Sequence, residues 1–232
     1  MVEDFLDTKI MSTTFIVIPA HNEADTIAQV VRDVRTAFKE CRVVVVDDCS
    51  TDDTWQRARE TGSVVLRHII NRGQGAALRT GTEYALLQGA DTIVHFDADG
   101  QFLAAEIKEV IAPLETGEAD IVFGSRFLAK RSNMPWLKKY VFLPLARRLH
   151  IFFGVRLSDP QAGLRAFRAE AFAKIHWRQD RMAHCSEIIF NAFHNKLRIV
   201  EVPITVIYRE FGQRFSGGLK IVKEMLLGSF TK

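Results

Sequence analysis

Two aspartates placed two residues apart, Asp97 and Asp99, are the side chains of this sequence best suited to chemistry. They follow residues 92–96, a short β-branched and aromatic run that is typical of a buried strand. Along an extended chain, side chains two positions apart point the same way, so both carboxylates are expected to face one site. Two like charges this close raise one another's pKa, and a nearby cation keeps both ionised.

A divalent metal ion is the cation that this pair would suit best. Mg²⁺ and Mn²⁺ prefer oxygen ligands and are usually shared with the phosphates of a substrate. Gln101, two residues further on, adds a third oxygen at the same spacing. The pair alone is equally compatible with a solvated acidic turn after a strand, so the case for a metal depends on what surrounds it.

Strands and helices alternate through the first hundred residues. Apolar runs at 15–18, 42–46, 64–66 and 92–96 predict four strands, the first of them closed by Pro19. Helices are predicted between them, after Asn22 or Asp25 as N-cap, from residue 51 to 60, and from 76 to 88. Strands that are apolar throughout indicate a mostly parallel α/β sheet covered by helices on both faces.

Polar residues of this half gather where the predicted strands end. The four clusters lie at 19–23, 47–48, 71–75 and 97–101. Ligands of such sheets bind beyond the carboxyl ends of the strands, which all lie on one edge. The sequence therefore predicts an active site along this edge.

The second half of the chain is less regular. It contains a predicted helix at 106–114, a strand at 119–124, a helix at 186–195 and a strand at 198–204 that Pro203 assigns to a sheet edge. Residues 127–157 mix basic and aromatic side chains, among them Lys138 and Lys139. Residues 216–232 are predicted to form a C-terminal amphipathic helix, and 1–13 a leader outside the domain.

Composition bounds the class of protein. The chain has 232 residues, 47% of them hydrophobic and 25% charged, which suits one α/β domain. A net charge of +3 is too small to indicate a nucleic-acid partner. No apolar run is long enough for a membrane span, and the acidic N-terminus does not resemble a signal peptide. Three cysteines, an odd number, are expected to be free thiols in a reducing compartment.

Several ordered motifs resemble the family 2 inverting nucleotide-sugar glycosyltransferases. The motifs of the first half are Ile18-Pro19-Ala20-His21-Asn22-Glu23, Val46-Asp47-Asp48-Cys49-Ser50 and Asp97-Ala98-Asp99-Gly100-Gln101. Those of the second half, Gly124-Ser125-Arg126-Phe127, Ser158-Asp159-Pro160-Gln161-Ala162-Gly163 and Val200-Glu201-Val202-Pro203 with Arg209, resemble the polyprenyl-phosphate branch. The resemblance implies a single Rossmann-like domain of the GT-A type, here over residues 14–215.

The resemblance also implies roles for individual residues. A nucleotide sugar, linked to GDP or UDP, would bind at Pro19, His21, Glu23, Asp47, Asp48, Asp97, Ala98 and Arg209. Mg²⁺ or Mn²⁺ would bind at Asp97, Asp99 and Gln101. Asp99, Arg126 and Arg209 are the candidate catalytic residues, and Arg126 with Lys138 and Lys139 would receive an acceptor phosphate.

Two kinds of acceptor remain open. A phosphate monoester is already nucleophilic at neutral pH and needs cations more than a base, whereas a hydroxyl needs a general base. The sequence favours a polyprenyl (dolichyl or undecaprenyl) phosphate, with the basic and aromatic segment 136–153 at the cytosolic membrane surface. Glu187 is the one candidate base for a hydroxyl on a soluble, glycan or protein acceptor, although a partner role for a nearby arginine is favoured.

Three further alternatives are weighed. An inactive nucleotide-sugar sensor or membrane scaffold would share these motifs without turnover. Gly73-Gln74-Gly75 imitates the start of a dinucleotide fingerprint, but Leu78 stands where the third glycine belongs. Asp159 is expected either to cap a turn before Pro160 or to orient Arg165 or a phosphate-binding arginine.

Overall fold

The computed structural model of the protein describes residues 13–128, 157–160 and 163–207. The strands are β1 (Thr14–Ala20), β2 (Arg42–Asp47), β3 (Val64–Arg67), β4 (Thr92–His95), β5 (Ile121–Ser125), β6 (Arg165–Arg168) and β7 (Ile199–Pro203). The α-helices are α1 (Ile27–Ala37), α2 (Thr54–Glu60), α3 (Gln74–Leu87), α4 (Ile107–Glu115), α5 (Phe172–Ile175) and α6 (His184–His194).

The seven strands of the described residues form one sheet in the order β3-β2-β1-β4-β6-β5-β7. The pairs β1–β2, β1–β4, β2–β3 and β5–β7 are parallel, whereas β6 runs antiparallel to both of its neighbours. The prediction of a mostly parallel α/β sheet is confirmed, and β7 lies at the edge, where Pro203 was expected to place it.

Hydrophobic cores cover both faces of the sheet. Along β1, Ile16 and Ile18 join a core that includes residues of α1 and α4, whereas Phe15 and Val17 join one that includes residues of α3 and α6. All four side chains are at most 2% exposed. Side chains of a strand alternate between faces, so an unbroken apolar strand requires helices on both sides. Each such buried side chain contributes about 1.5–3 kcal/mol.

Two local predictions in the first βα unit are wrong. Strand β1 does not stop at Pro19 but continues to Ala20, with Pro19 opposite Val46 of β2. The missing N–H costs no ladder bond because it faces the side of β4, whose pairing with β1 ends at Val17. Neither Asn22 nor Asp25 caps α1, since Thr26 occupies the N-cap position, and its hydroxyl hydrogen-bonds to Glu23 rather than to a helix amide.

Neither strand β6 nor the short helix α5 was predicted from the sequence, and β6 is the one that completes the sheet. It has four residues, Arg165–Arg168, and lies between β4 and β5. Arginines stand at both of its ends, and Arg165 is only 1% exposed. Such a short strand with charged ends carries neither the alternation nor the continuous apolar run that indicates a strand in sequence.

Some predictions concern residues outside the described ranges. They are the leader before residue 13, the basic and aromatic segment 136–153 with Lys138 and Lys139, Arg209, and the helix at 216–232. The boundaries of the predicted domain at 14 and 215 stay predictions. Among the described residues, no helix has both the length and the hydropathy to cross a bilayer.

Candidate active site

A cleft of about 500 Å³ lies along the carboxyl ends of the strands. All four polar clusters predicted for this edge contribute to its lining, through Pro19, His21, Glu23, Asp48, Asn71, Gly73, Gln74, Asp97, Ala98, Asp99 and Gln101. Arg126, from the end of β5, lines the same cleft. A cleft of this size accommodates a ligand of several hundred daltons.

The loops after β1 and β2 form one hydrogen-bonded wall of the cleft. The amides of Asn22 and Glu23 donate to Ser50 Oγ (2.9 Å) and Thr54 Oγ1 (2.8 Å), and the Thr51 amide donates to Asn22 Oδ1 (2.9 Å). Asn22 adopts a left-handed φ of 57°, which asparagine tolerates better than most residues. This wall carries His21 and Glu23, and burial raises the pKa of the Glu23 carboxyl, with a smaller contribution from nearby Asp99.

Asp48 fixes the loop after β3. Its two carboxylate oxygens accept the amides of Arg72 (2.9 Å) and Gly73 (2.6 Å), and Oδ1 also accepts His68 Nδ1 at 2.7 Å. Asp47 is fully buried beside Arg67 Nε (3.0 Å) and is not among the residues that line the cleft. Of the two predicted nucleotide-binding aspartates, one therefore shapes the wall and the other lies beneath it.

The glycines of the 73–75 loop serve close packing. Gly73 has a φ of +108°, and a Cβ there would lie 2.6 Å from the carbonyl oxygen of Asp180. A Cβ on Gly75 would lie 2.3 Å from the carbonyl oxygen of Gln179, and Gly75 O accepts the Trp177 indole N–H at 2.8 Å. The segment before α6 thus rests directly on this loop, which accounts for both glycines without a dinucleotide.

Asp97 and Asp99 line the cleft together, as predicted, but not because the chain is extended. Strand β4 ends at His95, and Ala98 and Asp99 lie in a turn. Burial in the first place, and then repulsion by Asp99, raises the pKa of Asp97 to about 7. Asp97 Oδ1 accepts Gln74 Nε2 at 2.8 Å, and Asp99 Oδ1 accepts the Gln101 amide at 2.9 Å.

The acidic pair suits a metal that is shared with a substrate rather than a closed protein cage. In the part of the chain that the structure describes, no three His, Cys, Asp or Glu side chains are placed to hold a metal ion. Two carboxylates and the Gln101 side-chain amide would supply only some of the oxygen ligands that Mg²⁺ or Mn²⁺ needs, and such ions usually take the others from water and substrate phosphates. The raised pKa of Asp97 shows that its ionised form is disfavoured in this site, and a bound cation would stabilise that form.

Arg126 is held in place by a chain of carboxylates. Asp159 accepts Arg126 Nε at 2.6 Å and Nη2 at 2.7 Å, and it also accepts the Arg126 amide at 3.1 Å. Glu201 of β7 in turn accepts the amide and hydroxyl of Ser158. The role of orienting an arginine, one of those expected for Asp159, is observed, and that arginine is Arg126.

Residues 204–207 run along the acidic motif. Phe102 and Val206 form an antiparallel bridge, and the amide of Ile207 donates to the carbonyl oxygen of Gln101 at 2.9 Å. Glu106 accepts the Thr205 amide with both carboxylate oxygens. The chain that leads to Arg209 therefore passes directly beside the predicted metal ligands.

Glu187, the candidate base for a hydroxyl acceptor, holds the main chain before α6 in place. Its Oε2 accepts the backbone amides of Arg178 (3.0 Å) and Gln179 (2.9 Å). It is not among the described residues that line the cleft. The favoured prediction, that Glu187 pairs with a nearby arginine, is not what these contacts show, because both partners are main-chain amides.

A cluster of Cys185, His184 and Arg165 at the cleft was not predicted. Arg165 Nη2 donates to Cys185 Sγ at 3.2 Å, and His184 Nε2 lies 3.4 Å from the same sulfur. Burial acts to raise the pKa of the Cys185 thiol, but His184 and Arg165 outweigh it and lower that pKa to about 5. The prediction that all three cysteines are free is confirmed. No sequence spacing joins Arg165 to residue 185, because β6 itself was not predicted.

Comparisons with known proteins agree with this architecture. Residues 15–176 match the model of glycosyl transferase family 2. The chain is 37% identical to an uncharacterised protein, MJ1222, of Methanocaldococcus jannaschii, over 92% of this chain and 90% of that one. It is 33% identical to UDP-N-acetylglucosamine–dolichyl-phosphate N-acetylglucosaminyltransferase of Methanococcus voltae, over 92% and 94% of the two chains.

A solved structure shows the same fold. Glucosyl-3-phosphoglycerate synthase of Mycobacterium tuberculosis, in complex with Mn²⁺, UDP and phosphoglyceric acid, superposes with a TM-score of 0.73 at 19% identity, covering 94% of this chain and 78% of that one. The fold is therefore of the GT-A type, as the motifs predicted. With the family model covering most of the described chain, this protein belongs to glycosyl transferase family 2.

Proposed function

We propose that this glycosyltransferase moves a hexose from a nucleotide sugar to a polyprenyl phosphate, with inversion, in the presence of Mg²⁺ or Mn²⁺. The observation that carries the proposal is the meeting of Asp97, Asp99 and Arg126 in one cleft with His21 and Glu23. Acidic groups suited to a metal diphosphate and a guanidinium suited to a phosphate thus face a common space.

The donor occupies the side of the cleft formed by the ends of β1, β3 and β4. The hydrogen-bonded wall that carries His21 and Glu23 would receive the nucleoside, with Pro19 beside it. Asp97, Asp99 and Gln101 would hold the metal ion, which supplies Lewis-acid stabilisation of the departing diphosphate. Asp48 supports this side by fixing the amides of Arg72 and Gly73.

The acceptor phosphate occupies the side of Arg126. Its second pKa near 6 leaves it dianionic at neutral pH, so its oxygen can attack the anomeric carbon without a protein base. One bond forms from this oxygen to the anomeric carbon as the bond from that carbon to the diphosphate breaks. Asp159 keeps the Arg126 guanidinium in a fixed orientation, which lowers the entropic cost of binding the phosphate.

Arg209 is a second candidate cation near the leaving diphosphate. It follows two residues after Ile207, whose amide donates to Gln101. Two residues of extended chain span at most about 7 Å, so the connection to the acidic motif is short. Lys138 and Lys139, with the aromatic residues of 136–153, remain proposed contacts to the phosphate and to the cytosolic membrane surface.

The relatives support a lipid phosphate acceptor over a hydroxyl. The Methanococcus voltae protein is named for transfer to dolichyl phosphate, and it aligns over nearly its whole length. Glu187, the only base considered for a hydroxyl acceptor, is bonded to main-chain amides. A hydroxyl acceptor would require Glu187→Gln to abolish turnover, whereas we expect that variant to lose stability and keep its acceptor preference.

A substrate screen tests the proposal. Purified protein is mixed with each of a set of GDP- and UDP-sugars and with Mn²⁺, Mg²⁺ or EDTA, with or without a short polyprenyl phosphate in detergent, and nucleotide release is measured. We expect release to require both the metal and the lipid phosphate. Release that is unchanged by the lipid, or that is restored by a soluble sugar acceptor, would contradict a phosphate acceptor.

The Asp99→Ala variant gives the sharpest test of the site. We expect its turnover with the best donor to fall at least about a thousandfold, because the metal ion that would stabilise the departing diphosphate loses a carboxylate ligand. Asp33→Ala, which removes an exposed carboxylate from α1, is the matched control and should retain wild-type turnover. Binding of a nucleotide sugar without any product would instead indicate a sensor.

A further inference from the structure

Cys185 differs from the other cysteines of the chain in its surroundings. All three are free, but among the described residues Cys185 is the one thiol that lines the cleft. Cys41 packs against the core, and burial raises its pKa to about 11. Cys49 donates to the carbonyl oxygen of Ile69 at 3.5 Å. The chain therefore contains two internal standards for the reactivity of the third.

The contacts of the Cys185 sulfur favour its thiolate form. Arg165 Nη2 can only donate, so Sγ must be the acceptor in their 3.2 Å contact. His184 Nδ1 faces the Arg181 carbonyl oxygen at 2.8 Å and must donate to it, so Nε2 of the neutral ring is an acceptor 3.4 Å from the sulfur. Nε2 can therefore accept the thiol proton, which leaves a thiolate beside an imidazolium. Cys185 also lies in the first turn of α6, where the helix dipole stabilises a negative charge.

The guanidinium of Arg165 has further donor capacity beside the sulfur. Arg165 is 1% exposed, and its Nη1 has no hydrogen-bond partner among the described residues. A buried donor without a partner is costly, and a polar group attached to the neighbouring sulfur could satisfy it. This second observation points to an occupant at Cys185 and is independent of the thiol itself.

We propose that Cys185 is a modification site at which the sulfur forms a mixed disulfide with a small disulfide, or a thioether with an alkylating electrophile, and so obstructs the cleft. In the disulfide reaction the Cys185 sulfur attacks one sulfur of the reagent. One S–S bond forms, the original S–S bond breaks, and the second half of the reagent leaves as a thiolate. No external oxidant is needed, and an added thiol reverses the step. With an alkylating electrophile such as iodoacetamide, a C–S bond forms as the C–I bond breaks, and iodide leaves.

The effect on the cleft follows from the position of the sulfur. Cys185 lines the same space as Asp97 and Gln74, so an adduct there competes with a nucleotide sugar for volume. This part of the inference relies on the proposed function, whereas the reactivity of the thiol does not. The two can therefore fail separately.

Peptide mapping tests the reactivity without any substrate. The full chain is treated with substoichiometric iodoacetamide at pH 7, and the labelled fraction of each cysteine is measured over time by mass spectrometry. We expect Cys185 to be labelled at least about tenfold faster than Cys41 or Cys49, because the thiolate is the nucleophile. Equal or slower labelling of Cys185 would overturn the proposal.

A second measurement tests obstruction. The protein is treated with glutathione disulfide, and binding of UDP with Mn²⁺ is measured by calorimetry before and after addition of dithiothreitol. We expect affinity to fall at least tenfold and to recover with the reductant, whereas Cys185→Ser keeps the affinity it had before treatment. A mapped adduct that leaves UDP affinity unchanged would overturn the obstruction. Absence of UDP binding in untreated protein would count against the proposed function and not against the labelling result.

Discussion

Two pairs of aspartates lie at the carboxyl ends of β2 and β4, the strands on either side of β1, and the protein neutralises them in different ways. Asp47 and Asp48, at the end of β2, lie beside Arg67 and His68 and accept several main-chain amides. At the end of β4, Asp97 accepts the Gln74 side-chain amide, and burial together with Asp99 raises its pKa to about 7. Hydrogen bonds within the fold satisfy Asp48, and the Arg67 guanidinium offsets the charge of Asp47, whose Oδ2 accepts no hydrogen bond. The second pair would gain from a cation.

This contrast distinguishes carboxylates that fix the shape of the cleft from carboxylates that are available to bind a ligand. A carboxylate that accepts two or three strong donors is already stabilised as an anion and is poorly placed to exchange them for a ligand. A buried carboxyl with a raised pKa gains when a divalent ion arrives and displaces its proton. The same residue type at equivalent strand ends therefore fixes a loop in one place and forms a candidate metal site in the other.

The largest effect on stability should come from Asp48→Asn. The asparagine amide nitrogen would face either the Gly73 N–H or the Arg72 N–H and His68, and a buried donor would lose its acceptor. We expect the free energy of unfolding to fall by about 3 kcal/mol, measured by urea denaturation. Asp33→Asn on α1 is the control and should change it by less than about 0.5 kcal/mol. If Asp48→Asn lowered the free energy of unfolding by less than about 1 kcal/mol, the proposed structural role of Asp48, and its contrast with Asp97, would be contradicted.

Asp97→Asn should increase the free energy of unfolding rather than lower it, and the increase should depend on pH. Because the folded pKa of Asp97 is raised from 3.8 to about 7, ionisation opposes folding little below pH 4, increasingly between pH 4 and 7, and fully above that range. In EDTA we therefore expect the variant to be about 2 kcal/mol more stable than wild type at pH 8, after allowing for water in the open cleft, and equally stable at pH 4. Thermal unfolding across this pH range measures the difference, and an equal gain at both pH values would contradict it.

Gly163→Ala should give the smallest of the predicted effects, a loss of metal affinity, and it tests whether the metal binds at Asp97. A Cβ on Gly163 would lie 2.2 Å from Asp97 Oδ2, so the carboxylate must move. We expect about tenfold weaker Mn²⁺ binding in the presence of UDP, measured by calorimetry, because a displaced ligand loses its orientation. Gly89→Ala meets no atom within 4 Å and controls for the added methyl group, although its φ of +77° adds local strain. Unchanged Mn²⁺ affinity in Gly163→Ala would place the metal away from Asp97.

The parallel half of the fold could be predicted from the sequence because its strands are buried on both faces. A run such as Val43–Val46, which is apolar on both faces, indicates a strand covered by helices on both sides. The polar residues that follow such strands lie at one edge of the sheet. The cleft was predicted for the same reason. Its assignment to nucleotide sugars came from motif resemblance, which physical patterning alone does not supply.

What the sequence could not give are contacts between distant segments with no periodic pattern. The sequence left open which arginine Asp159 would orient, because Arg126 lies 33 positions away, and the contact of Arg165 with Cys185 depends on a four-residue strand. The local prediction also failed at Pro19, where the end of the neighbouring strand, and not the proline itself, decides whether the ladder tolerates it. Each of these is set by tertiary neighbours.

The position of β6 affects the order in which the strands of the sheet can pair while the chain is being synthesised. Strands β4 and β5 follow one another in the chain but are not neighbours, because Arg165–Arg168 lies between them. During synthesis, a chain that has reached Ser125 presents two open strand edges that await a segment about forty residues away, and open edges invite pairing with other chains. Assembly of this half of the sheet is non-local and therefore slow, so the growing polypeptide is most vulnerable to association between emergence of β5 and arrival of β6.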